Sequence, residues 1–331
     1  MANDSKQIDF FDRVQLITEK FLTHRAKVRH IKTEKRKAKP VALDWLEAFI
    51  WAAGMVLLIN QYGVQAYRIP SGSMIDTLNI GDQIFVNKLV YGPELLPGFL
   101  KLPSPIQPKR SNIIIFENPS YISRGVVFDI AQRIIYMLTL SLVDIDKDQA
   151  GETRVHFLIK REIGQAGDHL VLENGNIKIM FAGEDRWIEE SDYNAQRGWN
   201  HHVTRSISQE QYPAIKAYGK SQGWINRGMS PSEQLLQSAK QTEEMQSFDG
   251  FARERSRLET MRKSAPHDIR YSELLAQSRL GWYIPEGRFF PMGDNRDFSK
   301  DARFFGPVKV SRVLGKGMFI YWPFWRMGKI I

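Results

Sequence analysis

Hydrophobic positions along this chain change rhythm several times. Near the N-terminus Phe10, Val14, Ile17 and Phe21 recur at helical spacing, with Phe11 and Leu22 beside them, which predicts a short amphipathic helix. From Trp45 to Val64 the text becomes WLEAFIWAAGMVLLINQYGV, broken only by Glu47 near its start and by Asn60 and Gln61 near its end. About 20 apolar residues is the length a helix needs to cross the hydrocarbon layer. The run begins too deep in the chain for a cleaved leader and ends without a small-residue cleavage site, so it predicts an uncleaved anchor over 41–65. A buried core helix is the competing reading, since Glu47 and the late amides shorten the wholly apolar part. Beyond Tyr67 the pattern switches to short apolar runs punctuated by Gly and Pro, such as QIFVNKLVYG and NIIIF, which fit strands in an all-β body.

Two later stretches depart from that strand rhythm. Val126 to Val143 is apolar but interrupted by Asp129 and Arg133, and the remainder is too short to span. Val127, Ile130, Ile134, Leu138 and Leu142 share one helical face, which predicts an interfacial or core-packed helix. Between Val171 and Tyr283 the chain is more polar, with few strand signals after Trp187. Ser230-Pro231-Ser232-Glu233 reads as a helix start, with Ser230 as the cap, proline at the first helical position and a glutamate three residues after the cap. Gly250 separates that helix from a second charged stretch, Arg253 to Lys263, predicting a helical hairpin whose charges form a solvated face. The expected fold is mainly β: an antiparallel β-sheet body from 66–170 and 282–331, a mixed α/β inserted lobe over 171–281, and one N-terminal transmembrane helix.

Charge sharpens the topology. The chain carries 46 Lys+Arg against 37 Asp+Glu, a net +9. The excess gathers before the apolar run, in Arg25, Lys27, Arg29, Lys32, Lys35, Arg36, Lys37 and Lys39, and thins beyond Pro40. Basic residues flanking a span keep their side in the cytoplasm, so 1–40 is expected to be cytosolic and everything after Val64 to lie outside. The same placement favours an anionic membrane surface over nucleic acid as the basic segment's partner. No cysteine occurs, which excludes disulfides, thiolate catalysis and cysteine-ligated zinc.

The densest candidate chemistry follows the apolar run at once, in Tyr67-Arg68-Ile69-Pro70-Ser71-Gly72-Ser73-Met74. Two small hydroxyl residues flanking a glycine after a proline suit a tight turn that presents a serine oxygen and free amides together. Serine needs a base, commonly histidine. His24 and His30 fall on the cytosolic side, and His156, His169, His201, His202 and His267 sit in no pattern with an orienting acid. Lysine serves instead where burial disfavours its ammonium form, and Lys160 ends the apolar run Val155-His156-Phe157-Leu158-Ile159. A lysine at a strand end is otherwise usually solvated. The third cluster, Met292-Gly293-Asp294-Asn295-Arg296-Asp297-Phe298-Ser299-Lys300-Asp301-Ala302-Arg303, alternates acids and arginines beside glycine and suits a paired scaffold. A calcium loop competes, but Arg296 intrudes and no glutamate closes the EF-hand spacing.

In this order and after one anchor, the clusters resemble the boxes of type I signal peptidases. The matching residues are Ser71-Gly72-Ser73-Met74, Gly81-Asp82, Lys160-Arg161 with Gly164 and Gly167-Asp168, and Gly293-Asp294-Asn295-Arg296-Asp297 through Ser299, Asp301 and Arg303. The likeness covers roughly 67–168 and 289–323, ending in Gly315-Lys316-Gly317-Met318 and Tyr321-Trp322-Pro323. It implies a membrane-anchored serine endopeptidase that removes signal peptides from exported preproteins after small residues, Ala-X-Ala, in the cytoplasmic (inner) membrane, with its catalytic domain extracytoplasmic. Ser73 would be the nucleophile and Lys160 the general base. The Ser71 hydroxyl and the Ser73 amide would form the oxyanion hole, and Ser299 would hold the lysine amine. Asp294, Arg161, Asp301 and Arg303 would support the site structurally. Ile69, Pro70, Met74, Leu78, Ile84 and Ile159 would line shallow pockets for the substrate. The resemblance implies no cofactor and no metal, preproteins and the phospholipid bilayer as partners, and a monomer.

Asp76, Gln165-Ala166, Phe298 and Ala302 depart from the family pattern, at turns rather than at assigned reactants. Two rivals remain at this stage. A self-cleaving repressor would use the same serine/lysine pair but needs a helix-turn-helix instead of a span. The other is a catalytically inactive membrane-anchored assembly protein whose working surface is the inserted lobe. About ten residues separate the end of the span from Ser73, at most roughly 35 Å when extended, which expects the site near the bilayer surface.

Overall fold

The computed structural model describes residues 10–37, 40–92, 94–96, 100–102, 104, 106–139, 142–149, 151–199 and 201–330. Parts of two expectations lie outside them: residues 1–9 and 38–39 of the cytosolic segment, and residues 140–141 of the second apolar stretch. The chain divides into two compact units, Met1–Val56 and Leu57–Ile331.

In the first unit α1 (Phe10–Lys37) is one helix of 28 residues, longer than the apolar spacing alone predicts. Its excess length is the basic stretch, rich in the Lys, Arg and Glu that lose little rotamer freedom in a helix. Helix α2 (Val41–Leu58) opens the apolar run and buries none of its residues. Over Val41–Gly63 the helical segment has a mean hydropathy of 1.7 and is long and apolar enough to span a bilayer. The core-helix alternative requires burial, whereas Trp45, Phe49 and Trp51 are exposed.

The second unit is built on antiparallel sheet. Strands β1 (Val64–Arg68), β2 (Gln83–Asn87), β3 (Glu94–Leu96), β4 (Leu100–Lys101) and β5 (Ile113–Glu117) precede α3 (Val126–Leu138). Then come β6 (Phe157–Gly164), β7 (His169–Glu173), β8 (Asn176–Met180) and β9 (Trp187–Glu189). The insert continues as helices α4 (Glu190–Gln196), α5 (Tyr212–Asn226), α6 (Glu233–Lys240), α7 (Gly250–Ser264) and α8 (Ile269–Leu280). Strands β10 (Trp282–Tyr283), β11 (Arg288–Met292), β12 (Val308–Lys309), β13 (Val313–Trp322) and β14 (Gly328–Lys329), with the short helix α9 (Ala302–Phe305) after β11, close the chain.

The main sheet has eight strands in the order β1-β2-β13-β5-β6-β11-β12, with β14 added on β13. A second sheet runs β10-β7-β8-β9, and β3 and β4 form a small ribbon. The C-terminal β13 therefore sits between β2 and β5, so the two sequence-distant halves of the β body are one sheet. Ile84, Val86, Ile113, Ile115, Leu314 and Ile320 pack with Met74 and Leu78 into the core beneath the first motif. Burying such aliphatic side chains stabilises by roughly 1.5–3 kcal/mol each.

One local expectation, the interfacial or core-packed helix, narrows to its outward-facing form, and two others change. The helix in 126–143 turns its aliphatic row outward: Val126, Val127, Ile134 and Leu138 are exposed, whereas Gln132 and Met137 are buried. Gln132 tolerates burial because its amide donates to Asp144 at 2.8 Å. In the insert, Ser232 rather than Ser230 caps α6, accepting from the Leu235 N–H, so Pro231 precedes the helix instead of opening it. The expected hairpin is a larger helical group, because α5 and α8 flank α6 and α7 in sequence and both pack on α7.

Candidate functional site

Ser73 lies in a tight helical turn, Gly72–Met74, just after β1. Two backbone bonds, Ile69 N–H to Asp82 O at 2.8 Å and Gly81 N–H to Ile69 O at 2.9 Å, tie the approach to that turn against the loop before β2. Gly81 has φ +90°, which a side chain rarely tolerates, so this tie explains the glycine of Gly81-Asp82. Asp82 in turn accepts from Arg326 at 3.1 Å and from the Asn79 N–H at 2.8 Å.

Lys160 stands on β6 opposite Ile114 of β5. Its side chain reaches Ser73 across 87 positions of sequence, and Lys160 Nζ and Ser73 Oγ are hydrogen-bonded. The lysine is only 3% exposed and the serine 7%. Burial drives the Lys160 pKa down to about 8, and Arg303 pushes the same way while Asp301 and Asp294 oppose it. An amine with that pKa is neutral in a useful fraction of molecules at ordinary pH, so the geometry provides a base in contact with a hydroxyl.

The third motif wraps this pair. The Asn295 N–H donates to Ser73 O at 3.1 Å. Its side-chain amide donates to Gly72 O at 3.0 Å. Gly293 must be glycine, because any Cβ there would collide with Ser73 O and the Ser299 side chain. Arg161, the next residue on β6, holds Asp294 through two bonds, Nε–Oδ1 at 2.9 Å and Nη2–Oδ2 at 2.7 Å. Thr77 adds a bond of 2.6 Å to the same carboxylate. Burial alone would raise the Asp294 pKa, but the Arg161 hydrogen bonds and charge reverse that and hold it below the usual carboxylate range. Asp301 behaves alike: burial opposes ionisation, while Arg303 at 2.9 and 3.0 Å and the Gly293 N–H at 3.0 Å hold it charged. The motif's remaining acid, Asp297, takes Arg205 at 3.1 Å, and its Arg296 takes Glu190 of α4 at 2.6 and 2.7 Å. Each acid is thus spent on a guanidinium. No group of three or more acidic or histidine side chains is arranged to hold a metal among the described residues.

The other predicted residues fall less uniformly. Ser71 is exposed in extended backbone, and its hydroxyl has no hydrogen-bond partner among the described residues. The expected bond from Ser299 to Lys160 is not formed: the Ser299 hydroxyl is buried beside Gly293 and near Asp301, whose charged form it favours. The Lys160 amine donates to Ser73, and the Ser299 carbonyl accepts from Arg303. Ile69, Met74, Leu78 and Ile84 are core residues, Ile159 is half-buried against them, and Pro70 is exposed. A cavity of about 1040 Å³ lies elsewhere, among α5, α7, α8 and the β7–β8 turn, and none of the predicted site residues lines it.

Residue-type reasoning missed several contributors. Asn295 stands within the third motif, but its grip on the Ser73 turn emerges only from the fold. Thr204 and Arg205, in the insert, contact the site loops across 90 to 130 positions, and no motif marks them. His156 does find an acid, with Nε2 2.8 Å from Asp146 Oδ2 beside Tyr121, but that pair has no contact with Ser73.

Against known proteins, a family profile described as "Signal peptidase, peptidase S26" matches residues 42–322. "Signal peptidase I" of Haemophilus influenzae is 25% identical over 294 residues, covering 87% of this chain and 72% of that protein. "Signal peptidase I" of Aquifex aeolicus is 28% identical over 268 residues, covering 81% of this chain and 79% of the relative. The Pseudomonas aeruginosa protein of the same name is 24% identical over 304 residues, with 88% and 76% covered.

Proposed function

The chain belongs to the signal peptidase family, peptidase S26, and from that premise we propose that Ser73 is the nucleophile and Lys160 the general base of its cleavage reaction. It is a serine endopeptidase acting on preproteins and removing their signal peptides. The observation that carries the assignment is the hydrogen bond from Lys160 Nζ to Ser73 Oγ, made by a lysine almost wholly out of water.

Neutral Lys160 takes the Ser73 proton as Oγ attacks the carbonyl carbon of the last signal-peptide residue. The oxyanion forms beside the Ser73 N–H and the Ser71 hydroxyl, which is exposed and uncommitted and so available to a substrate. Lys160 then returns its proton to the leaving amine as the C–N bond breaks. Water, deprotonated by Lys160, hydrolyses the ester and restores Ser73. Asp294, Arg161, Asp301 and Arg303 touch no reacting atom in this scheme and hold the turn in place.

Strand β6 offers the substrate a place. Residues 157–161 pair with β5, but β11 pairs only from Arg161 onward, so at 157–160 the second edge of β6 is open among the described strands. An extended preprotein segment adding there would run past Lys160. Its alternate side chains would meet Ile159 and Pro70 over a floor of packed Ile69, Met74, Leu78 and Ile84, which leaves room for small residues such as alanine. No cofactor enters the scheme.

The helices and the charge ahead of them support a membrane-anchored reading. The segment Val41–Gly63 is the anchor, and the basic residues before it favour a cytoplasmic N-terminus and an extracytoplasmic catalytic unit in the inner membrane. The outward row of α3, with Val127 84% exposed, is suited to the bilayer interface, and exposed Phe324 and Trp325 are residues that favour the same depth. The deciding experiment is cleavage of a preprotein after Ala-X-Ala by the purified enzyme. Wild type is expected to cut, and Ser73→Ala and Lys160→Ala to be inactive; normal cutting by either variant overturns the assignment of roles.

A further inference from the structure

One segment of the insert, His202 to Ile207, runs between the two loops that form the site. Thr204 N–H donates to Asp294 O at 2.9 Å, and Arg296 N–H donates to Thr204 O at 3.1 Å. Thr204 and Asn295 thus form a short parallel bridge. From the same residue the hydroxyl turns to the other loop: Thr204 Oγ1 donates to Ile75 O at 3.1 Å and lies 3.3 Å from Asp76 Oδ2. Ile75 is two residues from Ser73, and Asn295, Thr204's bridge partner, donates to both Ser73 O and Gly72 O. Further along, Asp297 Oδ2 accepts from the Ser206 and Ile207 N–H groups at 2.7 and 3.1 Å, and Arg205 pairs with the same carboxylate. Arg205 also donates to Tyr212 at 2.6 Å, and Tyr212 is buried in the core of the helical lobe with Ile207 and Ile215. The segment therefore connects the packed core of the insert to the backbone on both sides of Ser73.

We propose that Thr204 is a positioning residue for the peptidase reaction, stapling the nucleophile turn to the Asp294–Asp297 loop so that Ser73 stays in register with Lys160. This rests on the Ser73/Lys160 reading. The insert is then a brace for the catalytic turn as well as an appended lobe. Only one side-chain oxygen joins Thr204 to the nucleophile loop, whereas its backbone holds the other loop. Replacing the hydroxyl alone should release the first contact and spare the second. A loosened turn admits water to Lys160, and solvation returns its amine toward the ordinary, higher lysine pKa. Fewer enzyme molecules then carry a neutral base at a given pH.

The test compares Thr204→Val, which keeps the shape, with Thr204→Ser, which keeps the hydroxyl, in the full chain with a preprotein substrate. Thr204→Val is expected to lower kcat about tenfold or more with KM within about twofold, and to move the acid limb of the kcat profile to higher pH. Thr204→Ser should restore both. Should Thr204→Val fail to fold, Arg205→Gln, which weakens the Asp297 end of the same segment, is expected to shift the acid limb in the same direction by less. A Thr204→Val enzyme that loses thermal stability yet keeps kcat and its acid limb overturns the proposal, as does an Arg205→Gln profile identical to wild type if it must stand in. Ser73→Ala run alongside separates the two readings. An inactive Ser73→Ala with an unchanged Thr204→Val sinks the brace alone, whereas an active Ser73→Ala sinks the serine/lysine assignment.

Discussion

Strand β6 and helix α7 are both dense in charged residues, and the comparison shows how solvent decides what a charge does. On α7, Glu254 and Arg257 pair at 2.5 Å one turn apart, with their side chains 41% and 24% exposed. Water screens that pair, and each partner would remain ionised without the other. On β6, Lys160, Arg161 and Glu162 follow one another, and none is more than 3% exposed. There each charge must be matched or given up. Arg161 is matched by Asp294 and stays charged. Lys160 and Glu162 have no such ion pair, and burial drives both toward neutrality, the lysine down to about 8 and the glutamate up to about 8. The proposed base is thus the product of a strand that buries three ionisable groups and matches only one of them by an ion pair.

The largest expected effect breaks this contrast at its centre. Lys160→Arg keeps a long cationic side chain but installs a group that cannot be deprotonated in a protein. If neutrality is what matters, turnover of a preprotein falls by about 10²–10⁴-fold, the usual worth of a general base. Single-turnover cleavage assays measure it, and retention of even a tenth of wild-type activity would mean that the amine's charge state is irrelevant. Second comes stability. Arg161→Met leaves the Asp294 carboxylate buried and unmatched, at a cost of about 3–5 kcal/mol. Arg257→Met on α7 should cost under about 1 kcal/mol. Urea unfolding of both variants, side by side, measures the difference, and equal costs would show that burial does not separate the two regions.

How much of this could be read from the sequence follows from the range of each interaction. Ser73 was legible as a candidate from its small-residue turn after proline, whereas Lys160, at the end of an apolar strand, was a weak candidate on its local context. Their resemblance to known boxes joined two residues that composition alone left apart. Helix α3 was legible as a helix, but periodicity finds a face without saying which way it points, and here Gln132 faces inward and the aliphatic row outward. Helix α5 was not predicted, and it carries Pro213, Gly219 and Gly223, residue types that are poor helix formers. The structure gives two of them another purpose: side chains at Gly219 or Gly223 would collide with the α7 backbone, so these glycines permit close helix packing. Ser230 and Ser232 are chemically equal caps, and only the position of Leu235 decides between them. Thr204 was beyond reach, because its partners lie at the far ends of two long loops.

A smaller effect tests the charge state of Lys160 directly. With Lys160 in the proposed role it acts only when neutral, so kcat/KM should rise with pH through about 8, roughly tenfold per unit below that value, and level off above it. Initial rates of preprotein cleavage between pH 6 and 9.5 measure the limb. A limb near the ordinary lysine value of 10.5 would contradict the dry environment on which the comparison rests.

The last effect concerns Glu162, the neighbour that also goes unmatched. Its carboxyl has an atom buried without a partner, and it sits with His201 around a small internal space lined by Arg110 and Trp199. Burial raises its pKa from 4.5 to about 8, so the folded chain holds this proton more tightly than the unfolded chain does. Between those two values folding takes up a proton, and stability must fall as pH rises. Lys160 acts oppositely and in a different window. With its pKa lowered from 10.5 to about 8, the folded chain binds fewer protons than the unfolded one, and stability rises across that interval. Glu162→Gln removes the first slope and leaves the second. The variant should match wild type at pH 5 and melt higher at pH 8, by on the order of 10 °C, because roughly three pKa units at about 1.4 kcal/mol each meet about 2–4 °C per kcal/mol. Thermal melts at the two pH values measure this. If Glu162→Gln lowers the melting point equally at both, the glutamate is ionised in the folded protein, and β6 matches more of its charges than its hydrogen bonds reveal.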